Sequence, residues 1–124
     1  MTAAQVLCIP MPLHIHSEAN GSHGHHMARA RKVKAQRQAV AWCLKPHKVP
    51  TLPATVTLVR ISPGKLDEHD NLPRAFKAVV DELAKWMGVK DNDARLTWQY
   101  AQRSEGRSRY ACEIVIESRF EVQP

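Results

Sequence analysis

The stretch NLPRAFKAVVDELAKWMG, residues 71–88, decides the fold because its apolar residues recur at steps of three and four. The recurring residues are Leu72, Phe76, Val79, Val80, Leu83 and Met87. This spacing gathers them on one face and predicts an amphipathic helix packed on a core. Asp70 or Asn71 is the expected N-cap. Pro73 fits the first turn, and Gly88 is the expected stop.

Strands are predicted on both sides of this helix. ATVTLVRIS (54–62) alternates and is rich in β-branched residues, which is typical of a strand. RLTWQYAQ (95–102) and YACEIVIES (110–118) are expected to form a hairpin, with Gly106 in its turn. Upstream, AQVLCI (4–9) is a short strand candidate, with Pro10 and Pro12 expected to end it.

A first helix is predicted from Ala28 to Leu44, a stretch free of Gly and Pro in which Val33, Val40 and Leu44 share one face. The resulting order, β-α-β-α-β-β, predicts an α+β fold as a single domain over residues 1–124. Its mixed sheet is expected to carry two helices packed on one face. Three tryptophans, at positions 42, 86 and 98, are expected in the core or at a subunit interface.

Residues 13–27, between the first strand and the first helix, are expected to form a mobile loop because they are polar and lack a period. The loop is rich in histidine, at positions 14, 16, 23, 25 and 26. The spacing of these histidines matches no closed metal site, so a functional metal site there is disfavoured.

The chain is basic, with 18 Lys and Arg against 12 Asp and Glu, a net charge of +6. That balance favours a polyanionic partner, most often nucleic acid. The basic run of the first helix supplies the candidate phosphate contacts: Arg29, Arg31, Lys32 and Lys34. A solvated helix face is the alternative interpretation of the same run.

Two features of the sequence indicate the cellular compartment of the protein. No apolar run approaches the roughly 20 residues that a membrane-spanning helix needs, so no membrane partner is expected. The three cysteines are widely spaced and form no CxxC pair. They predict buried thiols in a reducing compartment, and a cytoplasmic location is expected.

Acidic residues gather at both ends of the second helix, in an otherwise basic chain. Asp67, Glu68 and Asp70 precede it, and Asp91 and Asp93 follow it. A β-α-β arrangement can bring the loop after one strand next to the loop before another. The carboxylates could then converge on a hard divalent cation such as Mg²⁺. The alternative is structural, because acids stabilise a helix start and Asp-Asn-Asp is common in turns.

The same segment resembles the RusA-type Holliday-junction resolvases, small phage and prophage endonucleases. The matching residues are Asp70-Asn71-Leu72, then Lys77-Ala78-x-x-Asp81-x-Leu83, then Gly88, Asp91 and Asp93. Weaker likenesses are Ile-Pro-x-Pro at the end of the first strand, Trp98-x-Tyr100-x-Gln102, and the final EIVIE strand.

The chain departs from that family's pattern at two places. Glu68 stands where better-known members carry an aspartate, with Asp67 one position further back. The step from Asp70 to Lys77 is also longer than usual, and Arg74 occupies the usual spacing.

The resemblance implies an endonuclease, dependent on Mg²⁺ or Mn²⁺, that resolves four-way DNA junctions by paired symmetric nicks in recombination and repair. It also implies a homodimer, because a two-fold axis supplies two sites, and a bacterial or phage-encoded protein. The catalytic candidates are Asp70, Asp93, Lys77, Asp67 and Glu68. The metal-ligand candidates are Asp70, Asp93, Asp91 and Asp67. The DNA-binding candidates are Arg29, Arg31, Lys32, Lys34 and Arg74.

Two other functions stay open at this point. The first is a RusA-like prophage protein that binds DNA and has lost catalysis, which Glu68 in place of an aspartate would fit. The second is a basic module for RNA or protein binding, whose acids only cap helices and turns.

Overall fold

The computed structural model describes residues 2–16, 26–66 and 71–121. In chain order the elements are β1 (Thr2–Met11), α1 (His26–Leu44), β2 (Ala54–Ile61), α2 (Asn71–Ala75), α3 (Lys77–Met87), β3 (Leu96–Arg103) and β4 (Ala111–Glu121). The four strands form one mixed sheet. The predicted α+β class is therefore confirmed.

The sheet has the strand order β1-β4-β2-β3. β4 pairs antiparallel with both β1 and β2, and β3 pairs parallel with β2. The predicted hairpin of β3 with β4 is wrong, because β2 separates these two strands. β4 buries Cys112, Ile114 and Ile116 in the middle of the core, and hydrogen-bonding partners flank it on both sides there.

The predicted second helix is two helices, with the break at Phe76. Phe76 has φ −93° and ψ 4°, outside the helical region, and its N–H donates to the Pro73 carbonyl at 3.2 Å. This hydrogen bond spans three residues, as in a 3₁₀ turn, and it tightens the chain where the Phe76 side chain is fully buried in the core. The helix nevertheless resumes at once, because the Val80 N–H donates to the Phe76 carbonyl at 2.9 Å.

The predicted stop at Gly88 is confirmed. Gly88 is left-handed, with φ 72°, and its N–H donates to the Lys85 carbonyl at 3.0 Å. The Val89 N–H reaches back to the Ala84 carbonyl at 3.1 Å. These two bonds form a Schellman motif, which satisfies carbonyls that the end of α3 leaves open.

The first strand and the loop after it differ from the prediction. β1 continues through Pro10 to Met11, so Pro10 does not end it; an edge strand tolerates proline because one row of its N–H groups needs no partner. Ile15 is buried in the core, and its carbonyl accepts a bond of 2.9 Å from Arg60 Nε. The start of the predicted mobile loop is therefore fixed, and its end belongs to α1, while residues 17–25 lie outside the described ranges.

All three helices contribute to one apolar core on one face of the sheet. Its members include Val40 and Leu44 of α1, Leu72 of α2, Val79 and Leu83 of α3, Val56 and Leu58 of β2, and Ile114 of β4. Val33 does not join them, since it is 38% exposed, and the described side chains of residues 27–35 are all exposed. Only the second half of α1 therefore packs on the body. In the part of the chain that the structure describes, no helix is both long and apolar enough to cross a membrane.

Candidate active site

Lys77, the first residue of α3, joins that helix to the turn before β3. Its Nζ lies 3.0 Å from Asp81 Oδ1, one helical turn on, and 3.0 Å from Asp91 Oδ2 in the turn. We refer to Lys77, Asp81 and Asp91 as the lysine–aspartate cluster. β2 and β3 are parallel, so the chain crosses from one end of the sheet to the other between them, and α2 and α3 lie in that crossover.

A cavity of about 380 Å³ opens beside the cluster. It is lined by Pro73, Arg74, Lys77, Val80, Asp91, Trp98 and Tyr100. Trp98 Nε1 donates to the Asp91 carbonyl at 2.7 Å, which fixes the turn against β3. Burial raises the pKa of Tyr100, so its phenol stays protonated and can donate a hydrogen bond. The cavity therefore combines two cations, a carboxylate and a phenol.

The bonds from the two aspartates raise the pKa of Lys77, with the Asp81 bond the larger cause and the Asp91 bond the next. A lysine whose pKa is raised keeps its proton at neutral pH. Lys77 can thus act as a fixed positive charge toward a phosphate oxygen or a water molecule.

Asp93 lies two residues from Asp91 but has a different role. Its Oδ1 accepts from the Arg95 backbone N–H at 2.9 Å and from Arg95 Nε at 3.0 Å. Its Oδ2 accepts from Arg95 Nη2 at 2.9 Å. The side-chain bond to Arg95, reinforced by the backbone bond, lowers the pKa of Asp93 to about 2. The structure thus places Asp91 in the cluster and Asp93 in a local turn.

The other predicted site residues fall into two groups. Asp67, Glu68 and Asp70, predicted as catalytic or metal-binding, lie outside the described residues. Arg74 is exposed and lines the same cavity as Lys77. The remaining DNA-binding candidates, Arg29, Arg31, Lys32 and Lys34, are exposed on the first half of α1 and do not line this cavity.

The predicted metal ligands fall only partly within the described residues, because Asp67 and Asp70 lie outside them. Among the described residues, no group of three or more His, Cys, Asp or Glu side chains is placed to hold a metal ion. Asp91 is nevertheless a partly exposed hard oxygen donor at the edge of the cavity, which suits Mg²⁺. A full ligand set would need carboxylates from residues 67–70 as well.

The sequence pattern gave no role to Asp81, Trp98 or Tyr100 in the chemistry, although all three surround the predicted lysine. The signal for Asp81 was its spacing, since a lysine and an aspartate four positions apart face each other on a helix. Trp98 and Tyr100 alternate along β3 and so share its core-facing side.

The histidines before α1 show no metal cluster in the described part of the chain. The rings of His14 and His16 stack with their centroids 3.8 Å apart. The centroid of the His14 ring also lies 4.1 Å from that of the Tyr110 ring. Burial, followed by the neighbouring His16, lowers the pKa of His14. His23 and His25 lie outside the described ranges.

No protein-family model matches the chain, and no curated protein matches it significantly. The resemblance to RusA-type resolvases therefore rests on the motif residues themselves.

Proposed function

We propose that this protein is a structure-selective DNA endonuclease that uses Mg²⁺ or Mn²⁺ to resolve four-way junctions. The observation that carries the proposal is the convergence of Lys77 with Asp81 and Asp91 beside a cavity that Arg74 also lines. The motif assigned Lys77 and Asp91 to one site from sequence alone. In the structure Lys77 Nζ lies 3.0 Å from Asp91 Oδ2.

In this proposal Asp70, with Asp91 and either Asp67 or Glu68, would hold the metal ion. Such an ion would neutralise phosphate charge and lower the pKa of a bound water. Lys77 stays protonated and contacts the scissile phosphate or the attacking water, while Asp81 fixes the ammonium. Asp93, which the resemblance also assigns to the metal, would have to release its bonds to Arg95 first.

The first half of α1 is the proposed DNA platform. Its four basic residues are exposed, and the helix sequence from His26 to Leu44 contains no acid. Phosphate contacts from lysine and arginine dominate affinity that does not depend on sequence. Arg74, at the cavity, would hold a phosphate closer to the cut.

A homodimer completes the proposal, because two symmetric nicks across a junction need two sites related by a two-fold axis. The setting that fits such an enzyme is the cytoplasm of a bacterium or of a phage-infected cell, where junctions arise during DNA recombination and repair.

The test is cleavage of a synthetic four-way junction by the full chain, with a linear duplex of the same sequence as control. We expect paired nicks in the junction when Mg²⁺ or Mn²⁺ is present and none when a chelator is added. Failure to cut with either metal, or cutting that survives the chelator, would refute the proposed activity.

A second function, DNA binding without catalysis, is favoured by one observation. The carboxylates of the described site are already bonded to bases, Asp81 and Asp91 to Lys77 and Asp93 to Arg95. A metal would have to compete with those contacts. Tight junction binding without cleavage, in the presence of Mg²⁺ or Mn²⁺, would select this function.

A further inference from the structure

A surface groove runs between the second half of α1 and α3, on residues that the proposed active site does not use. It is lined by Gln38, Ala41, Trp42, Leu44, Lys45, Glu82, Lys85 and Trp86, and its volume is about 600 Å³. We refer to it as the tryptophan groove. Trp42 is 70% exposed there, although such large aromatic side chains are usually well buried. Of the two predicted places for Trp42, the core is therefore excluded, and a subunit interface stays a prediction.

The lining of the tryptophan groove is positive. Its one acid, Glu82, accepts a bond of 3.0 Å from Arg37 and is thereby neutralised. Lys45 and Lys85 remain as surplus charge. The Lys45 ammonium lies over the Trp42 ring, 4.9 Å from its centre, so a cation covers one face of an indole that otherwise remains largely exposed.

A second cavity, of about 760 Å³, continues the groove toward the basic half of α1. Gln38, Ala41, Glu82 and Lys85 line both. Beyond these shared residues the second cavity is lined by Arg29, Lys34 and Arg37 among others. One continuous surface therefore begins with arginine and lysine and ends with two tryptophans.

This order of charge and aromatic surface fits one kind of ligand. Proteins that bind single-stranded nucleic acid hold the phosphates on basic side chains and stack the bases on aromatic rings. A paired duplex hides its base faces, so an exposed indole gains nothing from it by stacking.

We infer that the tryptophan groove binds an unpaired stretch of DNA, with a base stacked on Trp42 and the backbone running over Lys45 and Lys85 toward Arg29 and Lys34. The inference rests on the proposed DNA substrate and adds an unpaired strand to it. The groove is an accessory site, separate from the lysine–aspartate cluster, and has no part in the cleavage step.

The test measures binding of the full chain to a fluorescently labelled 12-nucleotide oligothymidylate by anisotropy at fixed salt. Trp42→Leu keeps an apolar side chain and removes the aromatic face, so affinity should fall about fivefold to 100-fold. Trp42→Phe keeps an aromatic face and is the matched control, expected to stay within about threefold of the wild type. An abasic strand of equal length should bind all three proteins alike.

A double variant tests the contribution of the two lysine charges in the groove. Replacing Lys45 and Lys85 together by alanine should weaken binding of the thymidylate and of the abasic strand to the same extent, because both carry the same phosphates. This variant leaves both indoles in place, so it tests the groove even if Trp42→Leu proves unstable.

Three results would overturn the inference. Trp42→Leu could bind the thymidylate as tightly as the wild type does. It could instead shift the oligomeric state in sedimentation, which would make the groove a subunit interface. An RNA strand of matching sequence could bind at least tenfold more tightly than the DNA, which would assign the groove to RNA. Junction cleavage is scored separately, so an inactive wild type that still binds the oligonucleotide through Trp42 would refute only the proposed nuclease.

Discussion

The lysine–aspartate cluster and the first half of α1 both present basic side chains, yet they hold their charges in opposite ways. In the cluster, Lys77 lies 3.0 Å from each of two carboxylates. Along α1 four basic side chains are exposed in a helix that contains no acid. Opposite charges in contact fix a geometry, whereas a row of like charges produces an attractive field with no fixed geometry. The first arrangement suits chemistry at one phosphate, and the second suits binding to many.

Stability does not account for the cluster. The side chain of Lys77 is 63% exposed and that of Asp91 is 42% exposed. Ion pairs that solvent reaches in this way contribute only about 0–1 kcal/mol to the free energy of unfolding. The ion pairs therefore add little to the stability of the contact between α3 and the turn, and what they fix is the position of the Lys77 ammonium.

The largest expected effect separates chemistry from binding. Asp70→Asn should abolish junction cleavage, because a neutral amide is a poor ligand for Mg²⁺. Junction affinity should stay equal or rise, since removing a negative charge near phosphates does not weaken their binding. Cleavage gels and binding titrations on the same junction check both expectations. A variant that cuts at nearly the wild-type rate would remove Asp70 from the site.

The next effect compares the two cations of the cavity. Lys77→Ala should lower the single-turnover cleavage rate at saturating protein at least tenfold, about 1.4 kcal/mol of transition-state stabilisation. Arg74→Ala should mainly weaken junction binding, because its guanidinium lines the same cavity and is proposed to hold a phosphate there. The reverse outcome, with the rate abolished in Arg74→Ala and kept in Lys77→Ala, would make Arg74 the partner of the reacting phosphate.

A smaller effect, on the affinity for DNA of any sequence, is expected from substitutions in α1. Replacing Arg29, Arg31 and Lys32 by alanine should weaken binding to DNA of any sequence. The slope of log K against log[salt] should flatten by about 0.9 for each phosphate that the variant no longer neutralises. Lys48→Ala, an exposed lysine between α1 and β2, is the control. An unchanged slope in the triple variant would show that the basic run is only a solvated helix face.

The smallest effect concerns Asp93 and has a defined pH window. Arg95 lowers the pKa of Asp93 from 3.8 to about 2. A carboxylate with a depressed pKa contributes stability that is present above pH 3.8 and is lost as the pH falls toward 2. Asp93→Asn lacks that contribution, so its melting temperature should fall less steeply than the wild type's between pH 4 and pH 2, roughly the span of the two pKa values.

The same variant tests the difference between Asp91 and Asp93. If Asp93 only shapes the turn, Asp93→Asn should still cleave junctions, whereas Asp91→Asn should lose most of the rate. Loss of cleavage in Asp93→Asn with an unchanged melting curve at pH 7 would instead return Asp93 to the metal site.

Local signals in the sequence predicted most elements. The alternation of residues 54–62 predicted β2, and the three- and four-residue steps up to Gly88 predicted α3 and its left-handed stop. These features depend on neighbours in sequence, which periodicity and capping rules describe well. The break at Phe76 was missed because it reflects the burial of one ring in a core built from distant residues.

The pairing of the strands was the main feature of the fold that was predicted wrongly. Gly106 correctly predicted that the chain turns after β3, but a turn does not say which edge the next strand will join. β4 pairs with strands 50 or more residues away because its alternate apolar side chains fill the centre of the core. The motif grouped Lys77 with Asp91 and Asp93, whereas the structure separates Asp93 from Asp91 through its bonds to Arg95, which the motif does not encode.

The place of β4 between β1 and β2 has a consequence for how the chain folds. Thr2 pairs with Glu121, so the two ends of the described chain must find each other before the sheet is complete. Pairings this distant in sequence require a large loop to close before they yield any stability, and such folds form slowly. During synthesis β1 and β2 would emerge from the ribosome long before the strand that joins them. Until β4 arrives, each would expose an unpaired edge to other chains, which makes the interval before completion the period of greatest aggregation risk.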